Sequence, residues 1–215
     1  MMDRLVELLQ EKSAQLNLFS AGDRLKLADK HIPDSVAVLD FWLVQKGMKV
    51  LDIGTGGGLP GLALALRTPE LTFRLVDARE KKVRAVQEVA DALGLENLKT
   101  VSERFEVLAH KNGYRKQYDV VTARAVAPLP VLLEYASGFL RIGGRLYAWK
   151  GPEYLEELKA SAKAQHVLSL VFEKAHEYVL PGGEERFILS FVQKGDLAPE
   201  YPRADGVPKS RPLGA

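Results

Sequence analysis

Val50-Leu51-Asp52-Ile53-Gly54-Thr55-Gly56-Gly57-Gly58-Leu59-Pro60-Gly61 opens as a short apolar run and breaks into a glycine-rich turn. Past Pro60 the chain continues as Leu62-Ala63-Leu64-Ala65-Leu66, a run of good helix formers. The apolar run reads as a buried strand. Strand, glycine loop and helix together are the layout of a nucleotide site. The glycines let backbone and ligand approach closely, and the helix start offers unpaired N–H groups and partial positive charge.

Two registers compete for this loop. Gly56-x-Gly58-x-x-Gly61 fits the dinucleotide fingerprint, in which a helix N-terminus holds a pyrophosphate. Asp52-x-Gly54-x-Gly56-x-Gly58 starts one step earlier and puts an acid at the strand end. An acid there suits a cationic ligand such as S-adenosylmethionine (SAM), a sulfonium that carries an ammonium group. A glycine turn that binds nothing is the plain alternative.

Downstream, strands are expected at 48–53, 71–76, 98–101, 118–123 and 144–149. Helices are expected at 79–93, 129–139 and 154–164, with Gly94 stopping the first. The period then changes. Two strand-like runs, 168–180 and 186–193, flank Pro181-Gly182-Gly183-Glu184, a hairpin signal. The expected fold is therefore α/β, Rossmann-like: a mostly parallel sheet ending in an antiparallel hairpin. Dinucleotide folds continue instead with further βα units, so the hairpin favours the SAM-dependent methyltransferase class. Upstream, Leu5, Leu8 and Leu9 mark an amphipathic helix over 2–12. Residues 17–23 read as a loop, and a second helix is expected from Pro33 to Gly47, with Val36, Leu39, Leu43, Val38 and Trp42 on adjacent faces. We divide the chain into one domain over 1–195, made of a helical flank (1–46) and a sheet core (47–195), and an extended Pro/Gly-rich tail over 196–215.

At 215 residues the chain is long enough for one good core and short for two. A net charge of +2 permits an RNA or DNA partner without requiring one. The absence of cysteine removes disulfides, thiolate metal sites and any cysteine nucleophile, and fits a reducing cytoplasm. No apolar run is long enough to span a membrane, and the N-terminus lacks a signal-peptide pattern. His31, His110, His166 and His176 show no metal spacing, so no metal is expected; His31 reads as packing or capping near the cleft and the others as surface.

Ligands of open α/β sheets bind beyond the carboxyl ends of the strands. Those ends supply Gly54, Gly56 and Gly58 under the methionine and ribose parts. Asp77 follows as a ribose acid or a helix cap. Phe105 and Glu106 lie where an adenine ring and its amino group reach, or follow a capping Ser102 with Glu106 solvated. Arg124, at a buried strand end, needs a partner: an acid such as Asp52, or substrate.

The absences narrow the acceptor. Methylating C5 of a pyrimidine needs a cysteine, and the chain has none. Exocyclic amines usually need an Asp/Asn-Pro-Pro-aromatic turn, and residues 123–129 lack it. Guanine N7 carries a free in-plane lone pair, so orientation alone can serve, with Lys150 or Arg124 as a donor to O6.

Asp52-Ile-Gly-Thr-Gly-Gly-Gly-Leu-Pro-Gly61-Leu, His31-Ile-Pro-Asp-Ser35, Arg104 with Glu106, Thr122-Ala-Arg-Ala125, Trp149-Lys-Gly151 and Tyr201-Pro-Arg203 together resemble the bacterial RsmG, or glucose-inhibited division protein B, family of small-subunit rRNA guanine-N7 methyltransferases. The likeness runs from about Asn17 into the tail. It implies SAM-dependent transfer to N7 of one guanine in 16S rRNA, with SAM contacts at Gly54, Leu59, Phe105, Glu106 and Arg124 and Asp77 on the ribose. Lys81, Arg104 and Lys150 would face RNA, although Lys81 also fits a solvated helix face. The chain departs from the family pattern at Phe19, where threonine is usual, at Pro33, where leucine is usual, and in a shorter N-terminal helical region. The expected partner is the small ribosomal subunit, assembled or assembling, met by a monomer in the cytoplasm. The alternatives are a SAM-binding ribosome-associated module without activity and an NAD(P)-dependent oxidoreductase.

Overall fold

The computed structural model describes residues 1–42 and 45–214. The apolar runs form a seven-stranded sheet of order β3-β2-β1-β4-β5-β7-β6. The strands are β1 (Lys49–Ile53), β2 (Thr72–Asp77), β3 (Leu98–Ser102), β4 (Tyr118–Arg124), β5 (Leu140–Lys150), β6 (Leu170–Val179) and β7 (Glu185–Gln193). The first five pair in parallel, and β7 inserts antiparallel between β5 and β6. This order is not the 3-2-1-4-5-6 of the dinucleotide fold, so the glycine register that suggested NAD(P) lacks the sheet that goes with it.

Side chains alternate across the sheet, and each face is apolar because both are covered. Val50 on β1 and Phe73 and Leu75 on β2 pack under α1 (Met2–Leu16), α3 (Ile32–Val36), α4 (Gly61–Arg67) and α5 (Glu80–Ala92). Leu51, Ile53 and Val76 face the other way, toward α7 (Leu129–Ser137), α8 (Tyr154–Ala160) and α9 (Ala162–Leu168). The Gly61 spacing has a packing cause: a Cβ there would lie 2.6 Å from Leu75 Cγ, so only glycine lets α4 settle on β2.

Several elements differ from expectation. β5 begins at Leu140 rather than Gly144, and the expected loop over 17–23 gives way to a short helix at Ala21–Leu25. The helix expected from Pro33 is in pieces: a π-turn (Leu27–His31), α3, and a 3₁₀ turn (Ala37–Asp40). Pro33 does sit in the first turn of α3, but the chain is already helical before it; Leu43 lies outside the described residues. The helix expected over 154–164 is interrupted at Ser161, which closes α8 and starts α9. Ser169, at φ 54°, then ends α9, so β6 begins at Leu170 rather than Leu168. Short helices α2 (Ala21–Leu25), α6 (Phe105–Leu108) and α10 (Val207–Ser210) complete the set.

The run 196–215 is irregular around Pro199 and Pro202, yet it is tied down rather than extended. Arg203 donates to Glu134 in α7 through Nε (2.9 Å) and Nη2 (2.7 Å), and its backbone N–H donates to the same carboxylate. Glu134 is wholly buried. Arg115 reaches the carbonyls of Tyr201 and Ala198, and His110 bonds the carbonyl of Pro202. The tail therefore behaves as part of the α7 face of the domain.

Candidate functional site

The carboxyl ends of β1, β2, β4 and β5 lie together, and the glycine loop after β1 forms one side of this end. Asp52 is wholly buried under the loop. Its carboxylate accepts from Thr122 Oγ1 (2.8 Å) and Gly61 N (3.2 Å), so it joins β4 and the start of α4 to the loop. Burial raises its pKa to about 6, against the lowering pull of these hydrogen bonds. Asp77 accepts from Gly56 N (3.0 Å) through one oxygen and from Arg79 N (2.9 Å) through the other. It thus closes the loop and the turn into α5 together, while the position before α5 belongs to Arg79.

These residues fit a bound nucleoside-type cofactor. Gly56, at φ 54°, faces open space: a Cβ there would meet only the Gly54 carbonyl, at 3.9 Å. The buried Thr55 hydroxyl beside it lies close enough to the Asp52 carboxylate to favour its ionised form, yet it completes no well-aligned hydrogen bond among the described residues, so it keeps capacity for a further polar partner. Gly54 and Gly58 are instead closed over by protein, against Val126 and against Leu62 and Val86. Leu59 turns its side chain into the core.

On the other side of the loop lies a cleft of about 540 Å³. Phe19, Lys30, His31, Arg124, Trp149 and Arg186 contribute to its walls. The His31–Ser35 segment is the hinge of this arrangement. Arg124 Nη1 donates to Asp34 Oδ2 (2.9 Å), the His31 carbonyl (3.2 Å) and Ser35 Oγ (3.3 Å). Tyr178 donates its hydroxyl to Asp34 Oδ1, and Trp149 Nε1 donates to the Asp34 carbonyl at 2.8 Å. One buried residue from the flank therefore fixes the ends of β4, β5 and β6. Burial and the Asp34 carboxylate push the Tyr178 phenol well above its usual pKa, so it stays a donor. The partner of Arg124 is Asp34, not the expected Asp52. All three of its bonds use Nη1; among the described residues Nε and Nη2 have no partner.

Phe19 is held just as firmly. Its N–H donates to Ser13 Oγ (3.1 Å) and its carbonyl accepts from that hydroxyl (3.2 Å). Its ring lies over the glycine loop, 2.5 Å from where a Cβ of Gly57 would be, and 6.0 Å from the His31 ring. His31 Nε2 pairs with Asp23 Oδ1 at 3.2 Å. Burial and the neighbouring Arg124 charge lower the pKa of His31 and favour the neutral ring.

The other expected site residues are placed differently. Lys150 lines the cleft, but its ammonium is spent on the Ala127 carbonyl (3.0 Å) and Glu157 (2.6 Å), with its side chain 10% exposed. It anchors the turn after β4 to α8 rather than offering a free donor. Lys81 is on α5, beside Leu16 at the end of α1, and does not line the cleft. Arg104 is exposed and 3.7 Å from Asp205 of the tail. Glu106 is buried rather than solvated, and its Oε1 accepts from Gly206 N (3.1 Å). Tyr135, its pKa raised to about 12 by burial and then by Glu106, packs against Phe105 at 5.2 Å. The tail thus reaches the wall assigned to adenine. His110 and His166 are exposed, whereas His176 is half-buried, stacked on Phe41 at 3.8 Å, and burial lowers its pKa. Asp34, Thr55 and Tyr178 were missed by sequence reasoning: the partners of Asp34 and Tyr178 lie 90 or more positions away, Thr55 gave no signal of its own, and only the quoted His31–Ser35 motif pointed to the site.

Among the described residues no group of three or more His, Asp or Glu is arranged to hold a metal ion, and no helix is long and apolar enough to cross a membrane. Residues 1–184 match the family model described as "GidB: rRNA small subunit methyltransferase G". The chain is 40% identical over 210 residues to ribosomal RNA small subunit methyltransferase G of Deinococcus deserti, covering 97% of this chain and 86% of that protein. It is 35% identical to the protein of the same name from Streptococcus sanguinis, covering 98% and 90%. A solved SAM-dependent methyltransferase from Aquifex aeolicus superposes with a TM-score of 0.58 at 18% identity, covering 78% of this chain and 92% of that one, a likeness of fold.

Proposed function

The chain belongs to the rRNA small subunit methyltransferase G family, and from that premise we propose that it transfers a methyl group from SAM to N7 of one guanine in 16S rRNA. The observation that carries the reading is Arg124. It is pinned through one nitrogen, with its remaining donors unpartnered among the described residues, in the wall of the cleft.

SAM, when bound, supplies a methyl carbon bonded to a positively charged sulfur. The open side of Gly56, the Thr55 hydroxyl and Asp77 are the groups that would hold its methionine and ribose parts. Phe105 and Glu106 would meet the adenine, with Gly206 and Tyr135 keeping the Glu106 carboxylate in place. Asp52 would act on the cofactor's positive charge from beneath the loop, since its carboxylate is fully engaged with Thr122 and Gly61.

The base would enter the cleft edge-on. Its N7 lone pair would take the methyl carbon that bound SAM supplies, the carbon–sulfur electron pair staying with the cofactor's sulfur; the base would become a cation, and no proton would have to move. Side chains therefore have only to orient the base. Arg124 can donate to O6 while leaving N7 free, and the Phe19 ring can stack on the base to fix its plane. The major groove of A-form RNA is too deep and narrow for side chains to read, so the guanine must be unpaired or flipped. With a net charge of +2, an assembled small subunit that presents the base is the fitting substrate, met in the cytoplasm by a monomer.

The test is transfer of labelled methyl from SAM to small subunits isolated from cells lacking the modification, followed by mapping of the labelled atom. Label at a guanine N7 is expected. Label elsewhere would refute the assignment, and SAM binding without transfer would identify a ribosome-associated module without activity.

A further inference from the structure

At the mouth of the cleft two cations from different parts of the chain meet one carboxylate. Lys30, in the π-turn of the flank, donates to Glu184 at 2.8 Å, and Arg186, at the start of β7, donates to it at 3.1 Å. Both cations line the cleft that would take the base. Lys30 also lines a second cleft of about 450 Å³, which continues past Glu184 toward Lys26 and the turn at Pro181 and Gly182. Lys30, Arg186 and Lys26 hold the Glu184 carboxyl below its usual pKa, so it stays ionised. Two positive charges on one negative charge leave an excess that the trio cannot neutralise. Lys30 and Arg186 are each 28% exposed on their side chains, so a ligand at the mouth can reach them.

A nucleotide whose base occupies the cleft brings its own phosphodiester to this mouth. We propose that Lys30 and Arg186 are the phosphate clamp of the flipped nucleotide. Glu184 holds the two cations together in the free protein and yields its place to the RNA phosphate. The clamp rests on the reading that the cleft takes the base. Asp29 lines the second cleft beyond Lys30, so the phosphate sits between Lys30 and Arg186 and not deeper. The clamp also joins the flank to the terminal hairpin, which places the strand of RNA across the face where both border the cleft.

The experiment measures binding of unmodified small ribosomal subunits over a salt series, with SAM affinity and melting temperature of each variant measured alongside. Lys30→Ala and Arg186→Ala should each reduce the slope of log K against log salt by about one, leaving SAM affinity unchanged. Glu184→Gln should act in the opposite direction. It frees both cations, and binding should tighten by about fivefold, the factor for removing a unit charge about 4 Å from a phosphate in water. Unchanged slopes in the two alanine variants would overturn the clamp. So would a Glu184→Gln variant that melts earlier and binds no tighter, because the trio would then be only a tie between flank and hairpin. The wild-type labelling assay separates the two levels: methylation at guanine N7 with unchanged slopes refutes the clamp alone, whereas no methylation refutes the reading beneath it.

Discussion

Removing the Asp34 carboxylate should be among the most damaging single changes outside the apolar core. Its side chain is 11% exposed and that of Arg124 is 14% exposed, so neither recovers much water when the other is lost. Breaking a buried pair by deleting one partner costs about 3–5 kcal/mol. Tyr178 loses its acceptor in the same step, and that loss is inside this range because the three groups act as one network. For a chain of this size about 1 kcal/mol moves the melting temperature by roughly 2–4 °C, so Asp34→Ala should melt some 6–20 °C early, the product of about 3–5 kcal/mol and that factor. The assay is urea and thermal unfolding of Asp34→Ala, Arg124→Ala and the double variant. The double variant should cost less than the two singles added, with a coupling of about 1–3 kcal/mol, because it leaves no charge stranded. Asp34→Asn should keep the fold but let Arg124 swing, lowering the methyl-transfer rate by up to about a hundredfold with SAM affinity little changed. Single variants that lose under about 1 kcal/mol, or costs that simply add, would show that the pair is solvated and holds nothing in place.

Arg203→Ala should cost about 3–5 kcal/mol in urea unfolding, since it strands the buried Glu134 carboxylate; it should also weaken SAM binding, measured by calorimetry, because Gly206 then no longer steadies Glu106. Phe19→Leu should slow transfer by about five- to a hundredfold if the ring stacks on the base, with SAM affinity kept and Phe19→Tyr restoring the rate. A loss of SAM affinity in Phe19→Leu would instead make the ring part of the cofactor wall. Asp52, with its carboxyl raised to about 6, binds a proton in the folded state that the unfolded chain releases near pH 3.8. The stability from that proton is fully present below about pH 3.8 and is lost as pH rises through 6. Melting temperatures of the wild type minus those of Asp52→Asn should therefore fall across this window and level off above it, and a difference that rises with pH would contradict the assignment.

The sheet was legible because its signals are local. Strands β1, β2 and β4 announce themselves as largely apolar runs between turn residues, β3 as a brief Leu-Lys-Thr-Val after Gly94 and Asn97, and Pro181-Gly182-Gly183-Glu184 marks the terminal hairpin. The β5 start escaped because its first residues cross an irregular register beside Tyr118 and Val120, where Gly143 and Gly144 look like a turn. The second flank helix was read as continuous from Pro33 because its apolar spacing is helical, but the α-helix stops at Val36 and a 3₁₀ turn carries Ala37–Asp40 on a different axis. At the site, the need of Arg124 for an acid was readable from its buried strand end. Which acid was not, since Asp34 and Asp52 look alike in a sequence and only the packed flank decides between them. Lys150 failed as a free donor for the same kind of reason. Glu157, seven residues on, lies in a helix whose phase relative to β5 no local pattern gives.

The contacts that build the cleft span long stretches of chain. Asp34 meets Trp149 across 115 positions and Tyr178 across 144, Gly206 meets Glu106 across 100, and Lys30 meets Glu184 across 154. Loops of that length close slowly, and contacts of high sequence separation form after local ones. During synthesis the flank leaves the ribosome long before the hairpin and tail that it must meet, at about 5–20 residues per second. A nascent chain can therefore own a glycine loop and most of a parallel sheet while having no cleft. Full competence arrives late: a fragment cut between Trp149 and Tyr178 keeps the ties of Asp34 to Arg124 and Trp149 but lacks Tyr178 and Arg186, and with them one wall of the cleft.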